Sequence, residues 1–301
     1  FVAGAIAACG AVTITNPLEV VKTRMQLQGE LNRKAALHPP SASGALPVRL
    51  YKNTLSALVT IAKHEGVGGL QRGLGAAYVY QIAMNGVRLG SYEPVKRLLL
   101  RWSSHEQGST AVDPFWCRVV AGGTAGATGA LLGSPLFLVK TRLQSYSKQL
   151  GMGYQHQYRG VWHALRSVFR NEGGAAGLYH GAGAAVLRTS VGSAVQLTTY
   201  DSCKVAVMQR FGLADGLPAH MAASFLTGIV VCCAMNPFDV VSTRVYNQGH
   251  DPVTGSGRLY RGPIDCFVKT IRAEGIAGLY KGIGAHYLRI GPHTILTFVF
   301  L

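Results

Sequence analysis

Asn16-Pro17-Leu18-Glu19-Val20-Val21-Lys22-Thr23-Arg24-Met25-Gln26 closes a run of eighteen residues that carries no charge, and its pattern returns twice. The second copy is Ser134-Pro135-Leu136-Phe137-Leu138-Val139-Lys140-Thr141-Arg142-Leu143-Gln144. The third is Asn236-Pro237-Phe238-Asp239-Val240-Val241-Ser242-Thr243-Arg244-Val245-Tyr246. The prolines stand 118 and 102 residues apart, each time near a third of the chain. A fixed period of that size marks a triplicated unit. Each copy places an acid or its substitute two residues after the proline, and a base or its substitute five after it. Those two positions are three apart, so they are neighbours on one helical face.

Around these copies the chain reads as three rounds of one plan. The first round runs apolar to Pro17, with Gly4, Ala8 and Ala11 as a small face for close helix contact. Pro17 removes a donor and is expected to kink the helix, with Asn16 near the freed carbonyls. Residues 28–50, with Pro39-Pro40-Ser41-Ala42-Ser43-Gly44, read as a mobile loop. Tyr51 to His64 reads as a helix lying along the membrane surface. Glu65-Gly66 through Arg72-Gly73 turns the chain into a second apolar segment, uncharged until Arg88. The other rounds repeat this order: Arg118 to Lys140 encloses 21 uncharged residues, and Gly216 to Phe238 is again uncharged. Several runs approach the ~20 apolar residues that cross a bilayer. The expectation is an all-α membrane protein with six transmembrane helices and three short surface helices. Its three repeats cover residues 1–101, 113–210 and 216–301, the last cut short, and together form one bundle.

Composition points the same way. The 301 residues are 48% hydrophobic and only 14% charged, with 38 glycines, against about a quarter charged in ordinary chains. Twenty-nine basic and 13 acidic residues leave +16, which implies an anionic partner. A basic, apolar chain suits an anionic membrane rather than nucleic acid, whose binders concentrate charge on solvated faces. The six cysteines form no CxxC and read as small core residues. No nucleophile with a base, zinc-ligand spacing or P-loop is present, so neither an enzyme nor a metal or cofactor is expected. Phe1 opens and Leu301 closes inside apolar runs, so the chain is expected to extend beyond both.

The three Pro-x-(Asp/Glu)-x-x-(Lys/Arg) copies, each followed by a Glu-Gly…Gly turn, resemble the mitochondrial carrier family along the whole chain. That resemblance implies a pseudo-threefold bundle in the inner membrane, working as a monomer, with one central site opened alternately to either side. It implies a matrix-side gate in which Glu19 meets Lys140 and Asp239 meets Lys22, braced by Gln26 and Gln144, with Tyr246 in the third place. Phe137 and Ser242 depart from the signature, one in place of an acid and one in place of a base. Together they are the third pair, and losing both avoids the several kcal/mol that one unpaired buried charge would cost. A cytoplasmic gate is implied at Tyr92, Glu93 and Lys96 and at Tyr200, Asp201 and Lys204, although these also read as ordinary charges at helix ends.

Counting seven residues on from Gly73, Gly181 and Gly282 gives Tyr80, Arg188 and Arg289; eight on gives Gln81, Thr189 and Ile290. Counting back thirteen from Glu93 and Asp201 gives Tyr80 and Arg188 again. These match the family's substrate contact points. Charges at mid-membrane are costly and by default functional. Arg188 and Arg289 have no acid nearby in their own helices, so a small dianion is the natural partner. Arg88 either adds a third positive charge or snorkels to the interface. His286 and His293 read as packed neutral histidines, with proton coupling the alternative.

Within the family, Tyr78 to Gly90, Pro135-Leu136-Phe137 and Asp239 to Arg244 resemble the oxaloacetate-carrier branch of fungi and its animal relatives. The implied substrates are oxaloacetate, related dicarboxylates such as malonate or 2-isopropylmalate, and sulfate or thiosulfate, by exchange or co-transport. A dicarboxylate carrier and an uncoupling-type proton leak protein stay open as alternatives. The family also binds cardiolipin at helix N-termini, which implies structural lipid at Arg72, Gly73, Gly160, Gly181, Gly262 and Gly282.

Overall fold

The apolar runs become long helices, and the glycine-rich stretches become the turns between them. The computed structural model describes residues 2–30, 50–104, 115–149, 153–212, 216–249 and 257–290. Helix α1 spans Val2–Leu27, α2 Thr54–Leu70, α3 Leu74–Ser104 and α4 Phe115–Ser145. Then come α5 Val161–Asn171, α6 Ala182–Phe211, α7 Leu217–Asn247 and α8 Pro263–Glu274. Residues 283–290 open a last helix, α9. The loop at Pro39 to Gly44, the rest of α9 and His293 lie outside the described residues.

The signature helices α1, α4 and α7 meet one another, while α3 packs between α1 and α4 and α6 between α4 and α7. The short α2, α5 and α8 lie beside the signature helix of their own repeat. By length and composition, Val120–Ser145 and Pro218–Asn247 suffice to cross a membrane. The helices turn their polar residues inward: Asn16, Gln26, Asp239 and Gln248 are buried, whereas Ile14, Ile82, Leu132, Phe225 and Ile229 are exposed. Apolar outside and polar inside is the arrangement a bilayer solvent favours. The surface helices also expose large apolar side chains, Leu55, Trp162 and Ile264 among them, suited to an interface. Of the cysteines, Cys117, Cys232 and Cys266 are buried as expected, but Cys233 is exposed; all six are free.

Four prolines sit inside helices: Pro17, Pro94, Pro135 and Pro237. The carbonyl that Pro17 leaves without a donor is that of Thr13, four residues back. Asn16 does not fill it. Gln71 Nε2 donates to Thr13 O at 3.0 Å, while Asn16 Nδ2 donates to Leu70 O at 3.3 Å and Arg72 O at 3.4 Å in the turn before α3. The two residues bind the break in α1 to the start of the next span.

Three arginines, seven residues after each signature proline, are among the largest fully buried side chains: Arg24, Arg142 and Arg244. Each makes a two-pronged bond to the glutamate of its own Glu-Gly turn. Arg24 holds Glu65 at 2.5 and 3.0 Å, Arg142 holds Glu172 at 2.6 and 2.7 Å, and Arg244 holds Glu274 at 2.8 and 2.9 Å. Each Nε then donates to a carbonyl of another repeat's signature helix: Arg24 to Gln144 at 3.3 Å, Arg142 to Tyr246 at 3.0 Å, Arg244 to Gln26 at 3.2 Å. The result is a closed ring of three repeats. The glycine after each glutamate has φ of +67, +88 and +72° (Gly66, Gly173, Gly275), a left-handed backbone that turns the chain straight after the bond. These arginines are not among the residues expected from the sequence, although their recurrence at one offset, opposite a recurring Glu-Gly, is a signal for them.

Gly73, Gly181 and Gly282, read as lipid-binding positions, have φ of +75, +96 and +77°. A Cβ there would press on Gln144, Tyr246 and the Lys22 carbonyl, respectively. Their immediate task is to let α3, α6 and α9 start hard against a signature helix.

Arg142→Ala strands Glu172 without its main partner, a change that costs about 3–5 kcal/mol for a buried pair. The expected outcome is a clear drop in thermal unfolding temperature in detergent; an unchanged temperature would mean the ring is not structural. Beyond the end of α1, Glu30 Oε1 is enclosed with no hydrogen-bond partner among the described residues. Burial pushes its carboxyl up to about 7, against the lowering pull of Arg244 and Tyr260. The fold thus favours the neutral acid, so this contribution is full below the ordinary value of about 4.3 and is lost as pH rises through about 7. Thermal stability is expected to fall between about pH 4.3 and about pH 7 in the wild type and to flatten in Glu30→Gln. Identical profiles for the two proteins would remove Glu30 as the cause.

Candidate functional site

The ends of α1, α4 and α7 bring the signature acids and bases together. Lys140 Nζ lies 2.7 Å from Glu19 Oε2, and Lys22 Nζ lies 2.5 Å from Asp239 Oδ2. Each pair has an amide beneath it. Gln144 Nε2 donates to Glu19 Oε2 at 3.2 Å and to Asn16 Oδ1 at 3.1 Å; Gln26 Nε2 donates to Asp239 Oδ2 at 2.7 Å. Thr243 Oγ1 in turn donates to Gln26 Oε1 at 2.7 Å. Tyr246, at the equivalent place, shares a hydrogen bond with Ser134 Oγ at 2.8 Å. The signature-helix ends are thus joined side to side, closing the bundle at that end.

Arg188 and Arg289, with no acid nearby in their own helices, meet acids supplied by others. Arg289 Nη1 lies 3.2 Å from Glu19 Oε1 and Arg188 Nη1 lies 3.4 Å from Asp239 Oδ1. The acids come from helices 270 and 51 residues away in sequence. Each signature carboxylate therefore serves one lysine and one arginine. Four cations against two carboxylates leave this cluster at +2. The Nε atoms of both arginines are buried and have no hydrogen-bond partner among the described residues.

The third sector is aromatic. Phe137 sits between Tyr80, with ring centroids 5.4 Å apart, and Tyr246, 5.2 Å away edge-on. Arg188 Cζ lies 4.5 Å over the Phe137 ring, and Lys140 Nζ lies 5.2 Å over the Tyr80 ring. The Ser242 hydroxyl is buried with no partner among the described residues. Where the sequence lacks two charges, the structure has aromatic rings packed at tilted and edge-on angles.

Other expected residues stand outside these four ion pairs. Thr189 Oγ1 spends its hydrogen on its own helix, at Ala185 O (2.9 Å) and Val186 O (3.0 Å), so it meets a ligand only as an acceptor. Gln81 is half-buried on α3. His286 is buried, with Nδ1 3.3 Å from Asn236 Oδ1. The side chains of Arg88 and Asp201 lie outside the described residues. On the opposite side, Tyr92, Lys96 and Lys204 are half-buried and Glu93 is exposed. The ion pair Glu93 makes is with Arg97 of its own helix, at 4.0 Å, and Tyr200 bonds His220 at 2.6 Å. Arg72 is occupied by Glu65 at 3.5 Å and by the Tyr146 ring, 4.5 Å away. Gly160 and Gly262 precede α5 and α8, whose N-termini carry no side-chain cap.

The sequence model of the family described as mitochondrial carrier protein matches residues 1–102, 111–211 and 214–301. A mitochondrial oxaloacetate transport protein of Saccharomyces cerevisiae is 47% identical over 301 residues, covering 100% of this chain and 87% of its own length. One of the same description from Schizosaccharomyces pombe is 48% identical, covering 99% and 88%. A mitochondrial citrate transporter E of Aspergillus niger is 45% identical over 297 residues, covering 99% and 89%. With three matched repeats, three closed arginine links and relatives aligned over the whole of this chain, the chain belongs to the mitochondrial carrier family and is a multi-pass transporter of the mitochondrial inner membrane, not an enzyme.

Proposed function

We propose that this carrier moves small dianions, namely oxaloacetate, related dicarboxylates such as malonate or 2-isopropylmalate, and sulfate or thiosulfate, by alternating access through the site at Arg188 and Arg289. The observation that carries this reading is the +2 cluster, in which two arginines each hold one gate carboxylate by a single long contact. A guanidinium has five donors and favours two-pronged binding of carboxylate or sulfate, so most of its capacity is left for a ligand. The oxaloacetate transport for which the two yeast relatives are named supports the substrate class.

The same geometry suggests how occupancy reaches the gate. A dianion that takes the guanidinium groups of Arg188 and Arg289 draws them from Asp239 and Glu19. Each carboxylate then has only its lysine and its amide brace, the matrix end is held less firmly, and the balance shifts toward the other state. Tyr80 and Gln81 border the bound anion, and Arg88 is the third cation of this proposal. The cytoplasmic set at Tyr92, Glu93, Lys96, Tyr200, Asp201 and Lys204 closes when the matrix end opens. The uncapped N-termini at Gly160 and Gly262 take cardiolipin phosphate, with Arg72 and the glycines that open α3, α6 and α9 nearby. A single chain encloses the site, so the working unit is the monomer.

Uptake of labelled oxaloacetate, sulfate, malate and ADP into cardiolipin-containing liposomes tests the reading. Oxaloacetate and sulfate uptake without ADP uptake is expected; ADP uptake, or proton conductance with no dianion uptake, would overturn it. Arg188→Ala and Arg289→Ala are each expected to lower dianion uptake by about 10- to 100-fold, the loss of a charged hydrogen bond or two, with unfolding temperature nearly kept. Wild-type rates in either variant would refute the site. Phe137→Asp combined with Ser242→Arg builds a third gate pair and is expected to slow turnover, whereas faster cycling would count against a two-pair gate.

A further inference from the structure

The three sectors of the closed end follow one rule. The residue two after each signature proline meets the contact-point residue of a neighbouring helix: Glu19 meets Arg289 on α9, Asp239 meets Arg188 on α6, and Phe137 meets Tyr80 on α3. The first two sectors, completed by Lys140 and Lys22, each hold two cations and one acid. The third has Phe137 for its acid, Tyr80 for its arginine and Ser242 for its base, and is neutral throughout. The sectors are not isolated, however. Arg188 belongs to the Asp239 sector, yet its guanidinium carbon lies 4.5 Å over the Phe137 ring, and its Nε, buried against this wall, has no hydrogen-bond partner among the described residues.

An acid at position 137 would lie within reach of that guanidinium and would cancel one of the two uncompensated charges. A phenyl ring does something different. Its face attracts the cation through the ring quadrupole, modestly when the site is wet and more when it is desolvated, and it brings no negative charge of its own. Tyr80 and Tyr246 hold the ring on either side, at 5.4 and 5.2 Å, and Tyr246 is itself tied to Ser134, so the ring is fixed in place. Arg188 therefore rests on a support that positions it without neutralising it.

We propose that Phe137 is a specificity-determining, positioning residue: its ring steadies Arg188 while leaving the site at +2, so the carrier selects doubly over singly charged anions. This rests on the dianion reading above. The selection is by charge count and not by size, since the same ring would accept either anion sterically. Phe137 need not touch the substrate, because it acts through Arg188.

The test uses two solutes of one skeleton, malonate and its monomethyl ester, which differ by one charge, in liposomes carrying the full-length protein. Wild type is expected to prefer malonate in kcat/KM by at least about tenfold, as one charge-assisted contact is worth. Phe137→Asp is expected to lose most of that preference, the KM for malonate rising much more than the KM for the ester. Phe137→Leu keeps the charge and removes the ring; it is expected to keep the preference for malonate while raising its KM roughly 2- to 30-fold, the range of a cation–π contact. The Leu change is apolar and of similar volume, so it carries the test even where the Asp protein does not fold. A folded Phe137→Asp protein with wild-type preference overturns the proposal, as does Phe137→Leu with an unchanged KM. Equal uptake of both solutes by the wild type overturns the dianion reading, and this proposal with it. A wild-type preference that Phe137→Asp retains overturns this proposal alone.

Discussion

Three buried arginines hold the bundle together, and everything functional is placed by them. Each lies at a helix end where backbone carbonyls have run out of partners, and each joins three elements: its own helix, the surface helix of its own repeat and a neighbouring repeat. A guanidinium is the only side chain that can do this, because its planar fork satisfies a carboxylate with two donors and still has Nε for a carbonyl. Burying such a charge is tolerable only when it is fully paired, and here it is. The three links close on themselves, so the ends of α1, α4 and α7 are set at hydrogen-bonding distance from one another.

That enforced proximity explains why the gate can be built from so few charges. Lys22–Asp239 and Lys140–Glu19 span between helices already held close, and the amides of Gln26 and Gln144 fill the remaining acceptor sites on the carboxylates. The cluster is deliberately incomplete. Two carboxylates are shared among four cations, so neither arginine is fully satisfied and two unit charges are left over. On the reading proposed here, a site in this condition attracts an anion and, on receiving it, gives up part of what keeps it shut. Binding and opening thereby draw on the same carboxylate oxygens.

The departure of the second repeat from its signature takes its meaning from the same arrangement. Asymmetry in a pseudo-threefold cavity makes one wall different from the other two. Here the neutral wall is made of Tyr80, Phe137 and Tyr246, stacked edge to face, with cations resting on two of the rings. The uncharged sector is not a gap in a gate but a surface that sets where a neighbouring arginine stands.

A good deal of this was legible in residue order. Triplication, the positions of the long and short helices and the joint loss of Phe137 and Ser242 from the charge pattern follow from local period and from the cost of an unpaired charge, while the partner of each signature lysine was implied by the family resemblance. Those signals survive in one dimension because they depend on offsets within a repeat and on composition. Only the tertiary structure decided that Arg188 and Arg289 lean on Asp239 and Glu19, that Gln71 rescues the carbonyl freed by Pro17, that Gly73, Gly181 and Gly282 are packing positions, and that Arg24, Arg142 and Arg244 close the ring. Each of these contacts joins residues from different helices, most of them from different repeats. They depend on how helices are rotated and staggered against one another, which the 3.6-residue period of a single helix leaves free.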